Sequence, residues 1–301
     1  MLLAIDQGTT GSTAVLLTPS LEVVASANQE FPQIFPHPGW VEHNPQAIWA
    51  SVEGAVCAAL AKAKVDPSAI QAIGITNQRE TTVVWDRRTG QPIHNAIVWQ
   101  CRRTAEACQR LRDAGRESEI KRRTGLVLDP YFSGTKLAWI LDHVDGARQR
   151  ARRGELAFGT IDTYLLWRLT GGEVHATDVS NASRTMLMDL RAAAWDPELV
   201  EWIGAEQAVL PAIRGNAEVY GATRGLGFLP DGIPIAGMAG DQQSALFGQA
   251  CFDAGEAKCT YGTGAFLLMN TGATPVVSTN GLLTTAAWQL DGTMTYALEG
   301  S

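Results

Sequence analysis

The sequence lacks several features that would assign it to a special class of protein. Its five cysteines are odd in number, and none forms a C-x-x-C pair, so reduced thiols rather than a disulfide framework are expected. No apolar stretch approaches the roughly 18 residues that a membrane span requires. The first residues also lack the basic start and apolar run of a signal peptide. These absences predict a cytoplasmic protein with no membrane span.

Basic residues are also fewer than acidic residues. The chain has 24 Lys and Arg against 31 Asp and Glu, which gives a net charge of −7. Nucleic-acid binding depends on clustered basic residues that neutralise phosphates. The two basic runs, RDAGRESEIKRR and ARQRARR, are short and mixed in charge, which is typical of solvated helix faces. No nucleic-acid partner is therefore expected.

Several motifs that would indicate catalysis are missing. The sequence contains no nucleophile elbow and no G-x-x-x-x-G-K-[ST] loop, and its five histidines are scattered without metal-ligand spacing. Any catalytic function must therefore depend on other residues.

The composition and the order of the predicted strands and helices indicate an α/β protein. Hydrophobic residues make up 46% of the chain and charged residues 18%, as in globular proteins. The N-terminal region predicts a meander with strands over 2–5, 13–17 and 22–25 and a tight turn at 8–11. Strands and helices then alternate without a long polar linker, which favours α/β architecture.

Helix starts are marked by capping residues. Asn44, followed by Pro45, predicts the start of a helix that runs to about residue 60. Ser133 and Asp162 are predicted to cap two later helices. The Pro-rich, aromatic segment 31–44 between the meander and the first helix predicts an ordered loop.

The end of the sequence repeats its beginning. Residues 258–261 and 265–270 predict two strands joined by the turn Gly262-Thr263-Gly264, as in the N-terminal hairpin. Such a repeat indicates two similar domains. We expect a first domain over 1–249 and the start of a second, incomplete domain over 250–301.

The N-terminal hairpin carries the first candidate site. Gly8 and Gly11 let the backbone turn and approach a ligand closely. The hydroxyls and N–H groups of Thr9 and Thr10 can then donate to phosphate oxygens. A carboxylate at Asp6 near phosphates requires a metal ion, bound through water. The alternative is a plain hairpin with a Gly/Thr turn.

Asp241 is the second candidate. It follows the apolar strand IPIAGMAG and precedes a helix, a position from which a carboxylate can act as a general base. In phosphoryl transfer such an Asp accepts the proton of the acceptor hydroxyl. On position alone, the alternative of a helix N-cap is narrowly favoured.

The third candidate is the pair Arg79 and Glu80, between two predicted strands. They offer donors and acceptors to hydroxyl groups, but both reach one pocket only if the turn bends there. The alternative is an exposed charged turn. Trp99, Tyr131 and Phe266 are aromatic residues that more often belong to a core.

Seven segments together make a specific pattern: DQGTTGST, GWVEHNP, GITNQRETT, DPYFSGTK, GTIDTYLLWRLTGG, AGDQQSALFGQ and YGTGAFLLMNTG. With these segments in this order, the chain resembles the glycerol kinases. The glycerol kinases belong to the carbohydrate kinases with the actin/hexokinase-like (ribonuclease H-like) fold. The resemblance covers the whole chain.

The resemblance implies a set of site residues. The residues that would hydrogen-bond the hydroxyls of glycerol are Arg79, Glu80, Tyr131 and Asp241, with Gln242 beside them. Trp99 and Phe266 would form apolar walls, and Asp241 would be the base.

The cofactors implied are ATP and Mg²⁺. Thr9, Thr10 and Thr263 would contact the nucleotide phosphates, and Asp6 would face Mg²⁺ through water.

The resemblance also leaves alternatives open. Family members carry a complete second domain, whereas only its first strands are expected here, so we expect a fragment whose activity is not assured. The chain could instead phosphorylate another polyol or a ketose, or bind glycerol without catalysis. The sequence does not fix the oligomeric state, and a homo-oligomer remains open.

Overall fold

The computed structural model describes residues 1–261 and 265–300. Its strands are, in chain order, β1 Leu2–Gln7, β2 Gly11–Leu17, β3 Val23–Glu30, β4 Gln33–Ile34, β5 Glu42–His43, β6 Ala72–Asn77, β7 Val83–Asp86, β8 Ala96–Ile97, β9 Leu156–Gly159, β10 Ala176–Asp178, β11 Met188–Asp189, β12 Ala194–Trp195, β13 Ala212–Arg214, β14 Gly221–Ala222, β15 Pro234–Gly240, β16 Ala257–Tyr261, β17 Ala265–Gly272, β18 Leu283–Leu290 and β19 Thr293–Gly300. Its helices are α1 Pro45–Ala63, α2 Ala105–Asp113, α3 Glu117–Thr124, α4 Ser133–His143, α5 Ala147–Arg152, α6 Ile161–Leu169, α7 Val179–Ala182, α8 Pro197–Ile203 and α9 Asp241–Gly248. None of these helices has both the length and the apolar character that crossing a membrane requires. The α/β architecture predicted from the sequence is confirmed.

The largest sheet brings three strand ends to one edge. Its order is β14-β15-β6-β1-β2-β3, with β6 parallel to both β1 and β15 and with β1, β2 and β3 forming the predicted antiparallel meander. In this register Gln7 pairs with Asn77, which in turn pairs with Gly240. The chain therefore leaves β1, β6 and β15 at the same level of the sheet. Ligands of α/β proteins bind at this carboxyl edge.

Helix α1 covers one face of this sheet. Ile48, Val52 and Val56 recur at helical spacing, are fully buried and pack with Leu3 and Ile73 in the core. The Asn44 side chain accepts a hydrogen bond of 2.9 Å from the Gln46 N–H, so the predicted cap is confirmed. A second core lies beneath α4, between β7, β9 and α8.

Two predicted caps are wrong, and the loop predicted over 31–44 includes two short strands. The cap positions of α4 and α6 are occupied by Phe132 and Thr160, so Ser133 lies one residue and Asp162 two residues further along. At the start of α6, Thr160 and Asp162 are neighbouring polar residues that a capping pattern does not distinguish. The Asp162 carboxylate instead accepts hydrogen bonds from the hydroxyls of Thr160 and Thr177. The segment 31–44 contains the two-residue strands β4 and β5, which pair with each other, and β5 also pairs with β8, too far along the chain for local sequence to reveal.

The last part of the chain forms a separate antiparallel sheet in the order β16-β17-β19-β18. Tyr261 pairs with Ala265, so the second hairpin predicted from the sequence is confirmed on both sides of its turn. Helix α9 contacts this sheet through β16, β17 and β18, and it begins where β15 ends. The second sheet therefore faces the carboxyl edge of the first.

We expect Ile73→Ala to reduce the free energy of unfolding by about 2–5 kcal/mol, because it opens a cavity between α1 and the central strand. Urea unfolding followed by circular dichroism measures the change. Val24→Ala, which removes methyl groups from a side chain that is 43% exposed on an outer strand, is the control and should cost much less. Equal losses would show that the core does not lie where the structure places it.

Candidate functional site

Most of the predicted site residues line one cavity of about 460 Å³ at the carboxyl edge of the large sheet. The predicted residues that line it are Thr9, Thr10, Arg79, Glu80, Trp99, Tyr131, Asp241, Gln242 and Phe266. Asp6 is exposed near the end of β1, and Thr263 lies outside the described residues. Both hairpins contribute, since Thr9 and Thr10 come from the first and Phe266 from the second.

A tight turn after β6 directs Arg79 and Glu80 into the same cavity. Glu80 has φ +61°, a left-handed conformation that is uncommon for a residue with a side chain. Its carbonyl oxygen accepts hydrogen bonds from the Ser133 hydroxyl (3.1 Å), the Thr82 hydroxyl (3.2 Å) and the Lys136 ammonium (3.4 Å). The bend that the sequence required for a shared pocket is therefore present and is held by α4. Both side chains are buried, so the exposed-turn alternative is excluded.

Arg79 is surrounded by acceptors. Its terminal nitrogens donate to both carboxylate oxygens of Glu299, at 2.5 and 2.8 Å, and to the Gln243 side chain at 3.2 Å. Its Nε lies 3.2 Å from Oδ1 of Asp241. Gly240 allows this approach, because a Cβ there would lie 2.7 Å from Cγ and Cδ of Arg79.

Asp241 is the first residue of α9, and Gly240 occupies the cap position. Its carboxylate accepts a hydrogen bond of 2.7 Å from the Gln242 N–H, and 37% of the side chain is exposed. Capping therefore does not account for this residue. The carboxylate combines a fixed position with an open side that faces the cavity, which are the geometric requirements for a general base.

Aromatic rings form one wall of the cavity. Trp99 packs edge-to-face against Tyr131, with ring centroids 5.7 Å apart, and against Phe266 at 6.3 Å. The indole N–H of Trp99 donates to the Thr9 hydroxyl at 3.0 Å. Burial raises the pKa of the Tyr131 phenol, so this group remains a neutral donor. The aromatic wall is thus joined to the Thr9 turn.

The glycines of the first hairpin act differently from the prediction. Neither Gly8 nor Gly11 has a positive φ. A Cβ on Gly11 would lie 2.9 Å from the carbonyl oxygen of Gln29 on β3, and one on Gly8 would lie 3.2 Å from the carbonyl oxygen of Gly11. Gly11 is therefore required for the close approach of a neighbouring strand, whereas the prediction assigned it to a sharp turn.

Asp6 and Asp241 are two carboxylates close enough to interact. Asp6 is an exposed residue near the end of β1, yet loss of hydration around its carboxylate, followed by repulsion from Asp241, raises the pKa of Asp6 to about 6. Two nearby carboxylates suit a divalent cation that is held mainly by phosphate oxygens. Within residues 1–261 and 265–300, no group of three or more His, Cys, Asp or Glu side chains could hold a metal ion by itself.

Sequence reasoning missed several residues of the site. The cavity is also lined by Gln33, Phe35, Gln100 and Thr260. Behind it, the Lys258 ammonium donates to the side-chain oxygen of Gln242 and, at 2.9 Å, to the Thr260 hydroxyl. The only sequence signal for Lys258 is a charged residue within a strand pattern.

We expect Asp6→Asn to increase stability more at pH 8 than at pH 5. The pKa of Asp6 is about 6 in the folded chain against an ordinary value of 3.8, so wild-type stability falls as the pH rises from about 4 to 6 and stays lower above that interval. Asparagine has no charge to desolvate. Since Asp6 keeps solvent contact, the gain is only a fraction of the full linkage value.

Urea unfolding of both proteins at the two pH values measures this difference. The Asp145→Asn variant, the same chemical change at another exposed position, is the control. A gain that is the same at pH 5 and pH 8 would contradict the assignment.

Comparisons with known proteins identify the family of the chain. The model of the FGGY family of carbohydrate kinases, N-terminal domain, matches residues 1–248. A glycerol kinase of Myxococcus xanthus is 61% identical over 301 residues, covering 99% of this chain and 61% of that protein.

Two solved structures share the fold. The crystal structure of Plasmodium falciparum glycerol kinase with ADP superposes with a TM-score of 0.94 at 40% identity, covering 100% of this chain and 60% of that one. A xyloylose kinase from Brucella ovis gives 0.87 at 26% identity, covering 99% and 59%. The chain therefore spans about three-fifths of the length of these relatives, and the predicted actin/hexokinase-like fold is confirmed over that span. On the family match and the fold together, the chain belongs to the FGGY family of carbohydrate kinases.

Proposed function

We propose that this chain forms the substrate-binding part of an ATP-dependent glycerol kinase, which converts glycerol to sn-glycerol 3-phosphate. The observation that carries the proposal is the single cavity that collects Arg79, Glu80 and Asp241 against an aromatic wall and beside the Thr9–Thr10 turn. The similarity to glycerol kinases over nearly the whole chain supports the same substrate.

The cavity suits a small polyol. Arg79 supplies donors, Glu80 and Asp241 supply acceptors, and the Tyr131 hydroxyl can do either. A three-carbon polyol has hydroxyl groups on one side and C–H groups on the other. We propose that the hydroxyls meet these polar groups while the C–H groups contact Trp99 and Phe266.

Lys258 determines how Gln242 participates. Because the ammonium occupies the side-chain oxygen of Gln242, the amide NH₂ remains to donate to a ligand oxygen. Gln242 therefore complements Glu80 and Asp241, which only accept.

Asp241 is the proposed general base. Its carboxylate takes the proton of the attacking hydroxyl as the bond to phosphorus forms. The neighbouring Arg79 guanidinium keeps the carboxylate in place during this step.

The phosphate side of the cleft is proposed for ATP. Thr9, Thr10 and, outside the described residues, Thr263 are the proposed phosphate contacts, with the Thr10 side chain exposed at the turn. Asp6 would hold Mg²⁺ through water. Asp241 lies close enough to Asp6 to raise the pKa of the Asp6 carboxylate. When bound, the cation would neutralise charge on the phosphate oxygens.

We also propose the domain division 1–249 and 250–301, in which the large sheet belongs to the first unit and the sheet β16-β17-β19-β18 begins the second. A cytoplasmic location and the absence of a nucleic-acid partner are proposals of the same kind, and the oligomeric state stays open, with a homo-oligomer as one alternative.

We expect Asp241→Asn to reduce turnover by about 10²–10⁴-fold, because the acceptor hydroxyl loses its base. Glycerol affinity should change by less than about tenfold, since asparagine keeps one acceptor oxygen. ADP release with glycerol as acceptor measures turnover, and isothermal titration calorimetry measures affinity.

Asp231→Asn, an exposed carboxylate outside the cavity, is the control for this experiment. A wild-type chain that binds glycerol without turnover would favour the alternative of a non-catalytic glycerol-binding module.

A substrate panel separates glycerol from other acceptors. The cavity volume of about 460 Å³ leaves room for a larger polyol or a ketose, so we retain a kinase of that kind as the second candidate. We expect calorimetry to show tighter binding of glycerol than of xylulose or gluconate. Preference for either of the larger compounds would show the glycerol assignment to be wrong.

A further inference from the structure

Four charged side chains form a closed ring behind the cavity. Arg79 and Glu80 come from the turn after β6, Arg184 follows α7, and Glu299 lies near the end of β19. Each is 3% exposed or less. The ring therefore joins three distant parts of the chain within the protein interior.

The contacts alternate in charge around this ring. Glu299 places one oxygen 2.5 Å and the other 2.8 Å from the terminal nitrogens of Arg79, a two-point contact. Arg184 donates to Glu299 at 3.0 Å and to Glu80 at 2.5 Å. Glu80 lies 3.9 Å from Nε of Arg79, which closes the ring. The two guanidinium groups overcome the effect of burial and lower the pKa of Glu299 to about 2.

Stability alone does not account for such a ring. A buried ion pair roughly breaks even against apolar residues of the same shape, because desolvation offsets the attraction. Two of the four members, Arg79 and Glu80, line the cavity, whereas Arg184 and Glu299 do not. Arg79 and Glu80 can therefore contact a ligand in the cavity, whereas Arg184 and Glu299 contact Arg79 and Glu80.

Glu299 also fixes the direction of the Arg79 guanidinium. Its two oxygens occupy the terminal nitrogens, while Nε lies 3.2 Å from the partly exposed Asp241 carboxylate. Without Glu299, the terminal nitrogens of Arg79 would lose the two-point contact that fixes the direction of the guanidinium. Arg79 would then be less well placed as a donor to the ligand.

We propose that Arg184 and Glu299 are positioning residues of the polyol site, which hold Arg79 and Glu80 in the binding geometry. The proposal rests on the proposed function in that it takes the ligand to be a polyol. It also makes the second sheet, through β19, a part of the substrate site.

The test is the double variant Arg184→Met with Glu299→Gln. It removes one charge of each sign, so the remaining pair of Arg79 and Glu80 stays balanced and the chain is expected to fold. Isothermal titration of the 301-residue chain with glycerol should show a Kd raised by about ten- to a hundredfold. The midpoint of urea unfolding should stay close to that of the wild type.

The matched control is Arg103→Met with Glu42→Gln. This pair is also buried, with an ion-pair distance of 2.7 Å, and neither residue lines the cavity. Its removal should leave the glycerol Kd unchanged. A second readout is the Nε–H signal of Arg79 in ¹⁵N NMR, assigned by Arg79→Lys, which should shift or broaden in the first double variant only.

An unchanged glycerol Kd in the first double variant, or an equal loss in both, would overturn the proposal. If the wild-type chain binds no glycerol, the proposed function fails for this chain, and the Arg79 signal alone decides. If the Arg79 Nε–H signal then changes only in the first double variant, the result supports the claim that Arg184 and Glu299 position Arg79. If the signal does not change in that variant, the claim is refuted.

Discussion

The bend at Glu80 is the constraint on which the site depends. Strand β6 runs through the centre of the sheet, and successive residues of a strand point to opposite faces. Arg79 and Glu80 share one cavity because Glu80 takes a positive φ and because Ser133 and Lys136 from α4 hold its carbonyl oxygen. Backbone strain of this kind persists where the surroundings over-determine it, as at many functional sites.

The sheet supplies the other half of the arrangement. Because β1, β6 and β15 are parallel and in register, the residues that follow them arrive at one edge. The Thr9 turn, the Arg79–Glu80 pair and Asp241 therefore meet although they are far apart in sequence. The second hairpin then adds Phe266 opposite the first, so that the cleft has a wall from each sheet.

Much of the fold could be predicted because its signals are local. Asn44 caps α1 through its own side chain, and alternation along the chain marks the meander and the second hairpin. The pairing of β5 with β8 could not be predicted, since β8 lies far along the chain. The bend at Glu80 could not be predicted either, because the residues of α4 that hold its carbonyl oxygen are far from it in sequence. Arg184 and Glu299 belong to no local motif, and only the folded chain brings them to Arg79.

The account treats the cavity as a polyol site in which Arg79, Glu80 and Asp241 contact the hydroxyls. A crystal structure of the chain with glycerol tests this claim most directly. We predict glycerol oxygens within hydrogen-bonding distance of all three side chains, with the carbon chain against Trp99 and Phe266. Glycerol bound elsewhere, or in this cavity with Asp241 turned away from every hydroxyl, would contradict the account.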